Sequence, residues 1–87
     1  MNAVDESLLA FPCDVPIKVF GRNAPAFREA VVAIINRHYG SAYRLAEQQS
    51  KQGAYLSFTI TVRAETRAEI DAVYQDLVAH EQVLMAL

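Results

Sequence analysis

Two hydrophobic periods divide this chain. Leu56, Phe58, Ile60, Val62 and Ala64 alternate with Tyr55, Ser57, Thr59, Thr61 and Arg63, a period of two that predicts a strand with one apolar and one hydroxyl-rich face. Val15, Ile17 and Val19 alternate in the same way with Lys18 and Phe20, which predicts an earlier strand over 15–20. Between them the period changes. Phe27, Val31, Ile34, Ile35 and His38 recur at helical spacing, as do Ile70, Val73, Tyr74, Leu77 and Val78 further on. Each set forms one stripe, so each helix needs a core on one side only.

Punctuation residues set the boundaries. Gly21 is expected to end the first strand in a turn, with Asn23 capping the first helix and Pro25 in its first turn. Gly40 stops that helix after Tyr39. Tyr43 to Gln49 reads as a polar strand, joined by the loop Lys51-Gln52-Gly53 to the strand that follows. Thr66-Arg67-Ala68-Glu69 has the form of a capping box for the second helix. Gln82 to Leu87 reads as a short last strand. Residues 1–10 are expected to form a flexible tail, with Leu8, Leu9 and Phe11 folding back onto a single domain over 11–87. The prolines at 12 and 16 mark an extended lead-in.

The order is strand, helix, strand, strand, helix, strand. One four-stranded antiparallel sheet with both helices on the same face buries all the stripes at once. That is an α+β fold of the ferredoxin-like βαββαβ type, and it leaves the other sheet face open.

With 87 residues the chain suits one domain with a thin core, and 53% hydrophobic against 21% charged residues is a globular balance, not a disordered one. A formal net charge of -2 argues against a protein that grips nucleic-acid backbones. Cys13 is the single cysteine, so no internal disulfide forms, no cysteine-based zinc site is available, and a reducing compartment fits. The opening residues lack a basic region followed by a long apolar stretch, and no run approaches a membrane span, so the expected setting is the cytoplasm, away from membranes.

Several segments together resemble the YbeD-like family of small bacterial proteins of unknown function. They are Leu9-Ala10-Phe11-Pro12, Lys18-Val19-Phe20-Gly21, Gly53-Ala54-Tyr55-Leu56-Ser57, Ile60-Thr61-Val62-Arg63-Ala64, Tyr74 with Leu77, and Met85-Ala86-Leu87. The resemblance spans roughly residues 8–87. It departs at the hairpin, where Gln52 stands between Lys51 and the glycine. It implies a ferredoxin-like domain similar to ACT regulatory domains, which bind small effectors, and it implies no catalytic activity.

Two surfaces are candidates for binding. One is the turn of Gly21, Arg22 and Asn23, where backbone N–H groups and a guanidinium could meet a carboxylate, although a plain helix start needs the same residues. The other is the open sheet face, carrying Lys18, Tyr55, Ser57, Thr59, Thr61 and Arg63, with Arg44 beside them; hydrated antiparallel faces use such residues too. RNA recognition on that face calls for more aromatics than Tyr55 and Phe20.

No catalytic set stands out. Val19-Phe20-Gly21-Arg22 with Phe27-Arg28 is similar to the acylphosphatase region, but Pro25 removes an N–H from the phosphate cradle and no asparagine lies on the third strand. His38 and His80 read as cations capping helix ends, Cys13 as a packed thiol, and Glu65, Glu69, Asp71, Asp76 and Glu81 as a solvated acidic face. The expected function is a non-enzymatic regulatory or adaptor module that takes a small anionic metabolite or a partner protein and needs no cofactor or metal. The alternatives are an acylphosphatase-like hydrolase and a structural homodimer.

Overall fold

The computed structural model describes residues 10–87. The expected folding-back of Leu8 and Leu9, and nearly all of the 1–10 tail, fall outside that range. The elements are β1 (Cys13–Arg22), α1 (Pro25–Tyr39), β2 (Tyr43–Gln49), β3 (Tyr55–Ala64), α2 (Arg67–Ala79) and β4 (Met85–Ala86). They form one antiparallel sheet in the order β2-β3-β1-β4, the ferredoxin-like arrangement.

The period of two places Val15, Ile17 and Val19 of β1 beside Leu56, Phe58, Ile60, Val62 and Ala64 of β3 on one face. Against that face α1 buries Phe27, Val31, Ile34 and Ile35, and α2 buries Ile70, Val73 and Leu77. Phe27 and Phe58 meet with ring centroids 5.5 Å apart. Phe11 and Cys13 pack at the border of this core. No helix of the described residues is long and apolar enough to cross a membrane.

The strand β1 runs longer than its apolar alternation, because every residue from Cys13 to Arg22 pairs with β3. Gly21, expected in a turn, therefore lies inside the strand opposite Leu56. Its role is steric: a Cβ there would stand 2.4 Å from Cδ1 of Phe27. The missing side chain lets the ring lie flat against the strand.

Asn23, expected to cap α1, does not. The N-cap is Ala24, with no side-chain bond, and Pro25 opens the helix. Asn23 instead donates through Nδ2 to Gly53 O at 2.9 Å and through its N–H to Ala54 O at 3.0 Å. It fastens the β2–β3 hairpin to the end of β1. Gly40 and Gly53 do adopt the left-handed backbone their places require, at φ 62 and 76. Thr66 caps α2 as expected, accepting from Glu69 N–H at 3.3 Å, while the Glu69 carboxylate reaches back to Glu65 N–H at 3.1 Å.

Further expectations change. Val78 is 62% exposed, because the stripe of α2 is too narrow to include it. The last strand shrinks to two residues, extended by the reciprocal bonds between Lys18 and Leu87 and by Tyr74 O–H donating to Leu87 O. The acidic residues of α2 are not simply solvated. Asp76 receives both His38 Nε2 at 2.6 Å and Arg37 at 3.2 Å from α1, so His38, in the last turn of α1 as expected, also joins the two helices. Those two partners, His38 foremost, hold the Asp76 carboxyl below its usual range. Tyr39 O–H donates to Glu69 at 3.3 Å, and burial together with that carboxylate pushes its pKa up to about 12. His80, the C-cap of α2, accepts through Nδ1 from Gln82 N–H at 3.1 Å.

Candidate functional site

Strand pairing decides which side chains share the uncovered face. Opposite one another across β1 and β3 stand Asp14 and Arg63, Pro16 and Thr61, Lys18 and Thr59, Phe20 and Ser57, and Arg22 and Tyr55. β2 adds Arg44 beside Thr61, Ala46 beside Thr59 and Gln48 beside Ser57, and β4 adds Met85 beside Phe20. The hydroxyl row is thus on the open side, with Ser57, Thr59 and Thr61 half-buried by their neighbours and Tyr55 45% exposed.

Charge is segregated in a way that the net value hides. Lys18, Arg22, Arg44 and Arg63 stand on this face with Asp14 as the acidic strand residue among them. On the helix side each arginine meets a carboxylate: Arg28 with Glu47, Arg37 with Asp76, and Arg67 with Asp71. The Arg28 fork takes both Glu47 oxygens and holds that carboxyl below its ordinary range. Acids thus concentrate on the helix side. On the sheet side, among the described residues, Arg63 has a carboxylate near, Asp14 at 3.6 Å, while Lys18 and Arg22 lie over the Phe20 and Tyr55 rings, 6.0 and 5.7 Å from the centroids.

At one end of the face is a shallow depression of about 240 Å³, lined by Lys18, Phe20, Gln48, Gln49, Ser50, Tyr55, Leu56 and Ser57. It draws together three of the residues singled out from the sequence: Lys18, Tyr55 and Ser57. Arg22 borders it through Tyr55. Thr59, Thr61 and Arg63 continue along β3 away from it. Gly21 faces the core. The N–H groups of Asn23 and Ala24 are bonded to Ala54 O and Arg22 O. Sequence reasoning missed Gln48, Gln49 and Ser50. The signal that could have found them is the hairpin length, which sets Gln48 opposite Ser57. Among the described residues no cluster of three His, Cys, Asp or Glu could hold a metal ion.

Residues 6–87 match the family described as "Protein of unknown function (DUF493)". The chain belongs to this family. It is the YbeD-like group to which the sequence segments pointed. Among curated relatives, a "UPF0250 protein" of Paraburkholderia phytofirmans is 38% identical, with both chains covered completely. "UPF0250 protein NE1487" of Nitrosomonas europaea is also 38% identical, covering 95% of this chain and 98% of its own. Among solved structures, protein HP0495 from H. pylori superposes with a TM-score of 0.71 at 17% identity, over 91% of this chain and 85% of that one. That likeness supports the ferredoxin-like fold.

Proposed function

We propose that this family member is a non-enzymatic cytoplasmic binding module, regulatory in class, that takes a small anionic metabolite in the depression on its open sheet face. The carrying observation is the placement of the Lys18 ammonium beside Phe20, Tyr55, Ser57 and Gln48 in one concave patch. A carboxylate or phosphate would pair with Lys18, its remaining oxygens would accept from Ser57 O–H and the Gln48 amide, and an organic body would rest on the two rings. The surrounding face favours anions, since Arg22 and Arg44 lie within the same field. These groups bind and orient. None is arranged as a nucleophile with an adjacent base, which is the support for a regulatory reading over hydrolysis.

A thermal-shift screen against carboxylates and phosphate esters tests this. A ligand that binds the folded chain alone raises the melting temperature with concentration. The expected result is a saturable rise that Lys18→Ala abolishes. No rise with any anion, or a rise equally large in Lys18→Ala, rejects the site.

A further inference from the structure

β2 is an outer strand of the sheet, seven residues long, regular, and exposed from Arg44 to Gln49. Exposed edges are commonly protected by proline, lysine, a bulge or an inward charge. Tyr43–Gln49 contains no proline or lysine and pairs without a bulge, and its inward-facing carboxylate, Glu47, is neutralised by Arg28. The Ser50 N–H bond to Tyr55 O at 2.9 Å sets the hydrogen-bond alternation of the hairpin. By that alternation the backbone groups of Leu45, Glu47 and Gln49 point away from β3, to the free edge.

The segment is complementary to itself. An antiparallel pairing that uses all seven residues centres on Ala46, the smallest side chain of the strand. It sets Leu45 opposite Glu47, Arg44 opposite Gln48 and Tyr43 opposite Gln49, with no like charges facing and with the 40%-exposed Leu45 covered. A shift by two residues in either direction leaves only five residues paired, and in one of the two directions it sets Glu47 against Glu47. The paired residues have the same parity, so both copies keep their helices on one side and their open faces on the other.

We propose that β2 pairs in this register with β2 of a second copy, and that the partner copy's Arg44 completes the anion-binding depression. This rests on the anion site proposed above. In this register the partner copy's Arg44 stands one strand spacing, about 4.8 Å, outside Gln48, in the row that continues through Ser57 and Phe20. Its guanidinium spans that gap and reaches the side of the depression opposite Lys18. Each copy then supplies one arginine to the other, and the site is whole only in the dimer.

The test uses disulfide trapping in the full chain with Cys13 replaced by serine. Position 46 meets its own copy at a non-hydrogen-bonded pair, with Cα atoms about 4.5 Å apart, which a disulfide can span. Position 48 lies roughly 13 Å from its own copy, which a disulfide cannot span. Oxidation is expected to cross-link Ala46→Cys and leave Gln48→Cys monomeric on a non-reducing gel. Sedimentation of the unaltered chain is expected to show a dimer that Leu45→Pro, which removes an N–H from the free edge and none from the β2–β3 ladder, dissociates while circular dichroism stays native. With citrate as probe, Arg44→Ala is expected to remain dimeric and bind roughly three- to tenfold more weakly. A monomer at every concentration, equal cross-linking at 46 and 48, or undiminished citrate binding in Arg44→Ala overturns the proposal. A monomer that still binds citrate through Lys18 refutes the pairing and leaves the anion site standing. Selective cross-linking at 46 without citrate binding in any variant refutes the anion site and Arg44's part in it, and leaves the pairing standing.

Discussion

Gly21 and Phe27 occupy one another's space: the ring of Phe27 lies where a side chain at 21 would begin, with three ring atoms within 2.6 Å of that point. The ring cannot withdraw, because it is fully buried and packed on Phe58. Gly21→Ala is therefore expected to destabilise the fold by about 1–3 kcal/mol, as overpacking does in a closed core. Urea denaturation measures this. If Phe27→Leu, which removes ring atoms from that space, fails to recover part of the loss, the steric explanation is wrong.

Asn23 gives a sharper test, because two roles predict opposite outcomes. A helix cap accepts a hydrogen bond, and aspartate serves there as well as asparagine. Here the Asn23 amide donates to Gly53 O. Asn23→Asp replaces a donor by an anion facing a carbonyl, so a loss of about 1 kcal/mol is expected. Thr66→Ala, which removes the true cap of α2, is expected to cost about 1 kcal/mol as well. Equal stability of Asn23→Asp and the unaltered chain in urea titrations would restore the capping role.

The joint between the helices depends on pH through Asp76. Its folded-state carboxyl titrates below the ordinary aspartate value of 3.8, held there by His38 and then Arg37. A lowered folded value means that the unfolded chain binds the proton first as acid is added. The stabilisation is present above the ordinary carboxylate range and is lost as the pH falls from there through the lowered value. Stability curves of Asp76→Asn and the unaltered chain should therefore lie apart near neutrality and converge in acid. A gap independent of pH contradicts the assignment.

In alkali the sign is reversed. Tyr39 ionises at about 12 in the folded state against 10.0 for a free phenol. The unfolded chain releases its proton first, so stability falls as the pH rises from 10 towards 12. Tyr39→Phe should flatten that part of the stability curve, and an unchanged slope would show that Tyr39 is not the group responsible.

In the proposed anion site Lys18 carries the response to anions. Lys18→Ala should abolish anion-dependent thermal stabilisation while leaving urea stability within about 0.5 kcal/mol, because the residue is exposed. Thr61→Val, further along the same face, should leave the anion response intact. Loss of the response in both variants would assign it to the sheet as a whole and not to the depression.

The elements were legible in the sequence because their signals are local. The alternation of Leu56 to Ala64, the stripe from Phe27 to Ile35, the Thr66 cap and the positive φ at Gly40 and Gly53 all follow from near neighbours along the chain. Period two and period 3.6 each specify which side must be covered, and one sheet with two helices on one face satisfies them together. What the sequence by itself could not decide is which distant residues meet. Gly21 has the form of a turn residue until Phe27 is packed against it. Asn23 has the form of a cap until the hairpin carbonyl of Gly53 arrives. His38 and Asp76 are 38 positions apart. The depression exists only because the register sets Gln48 beside Ser57 and Ser57 beside Phe20. Local preference depends on the residues of one segment, whereas these contacts depend on how segments are brought together, and only the tertiary structure sets that.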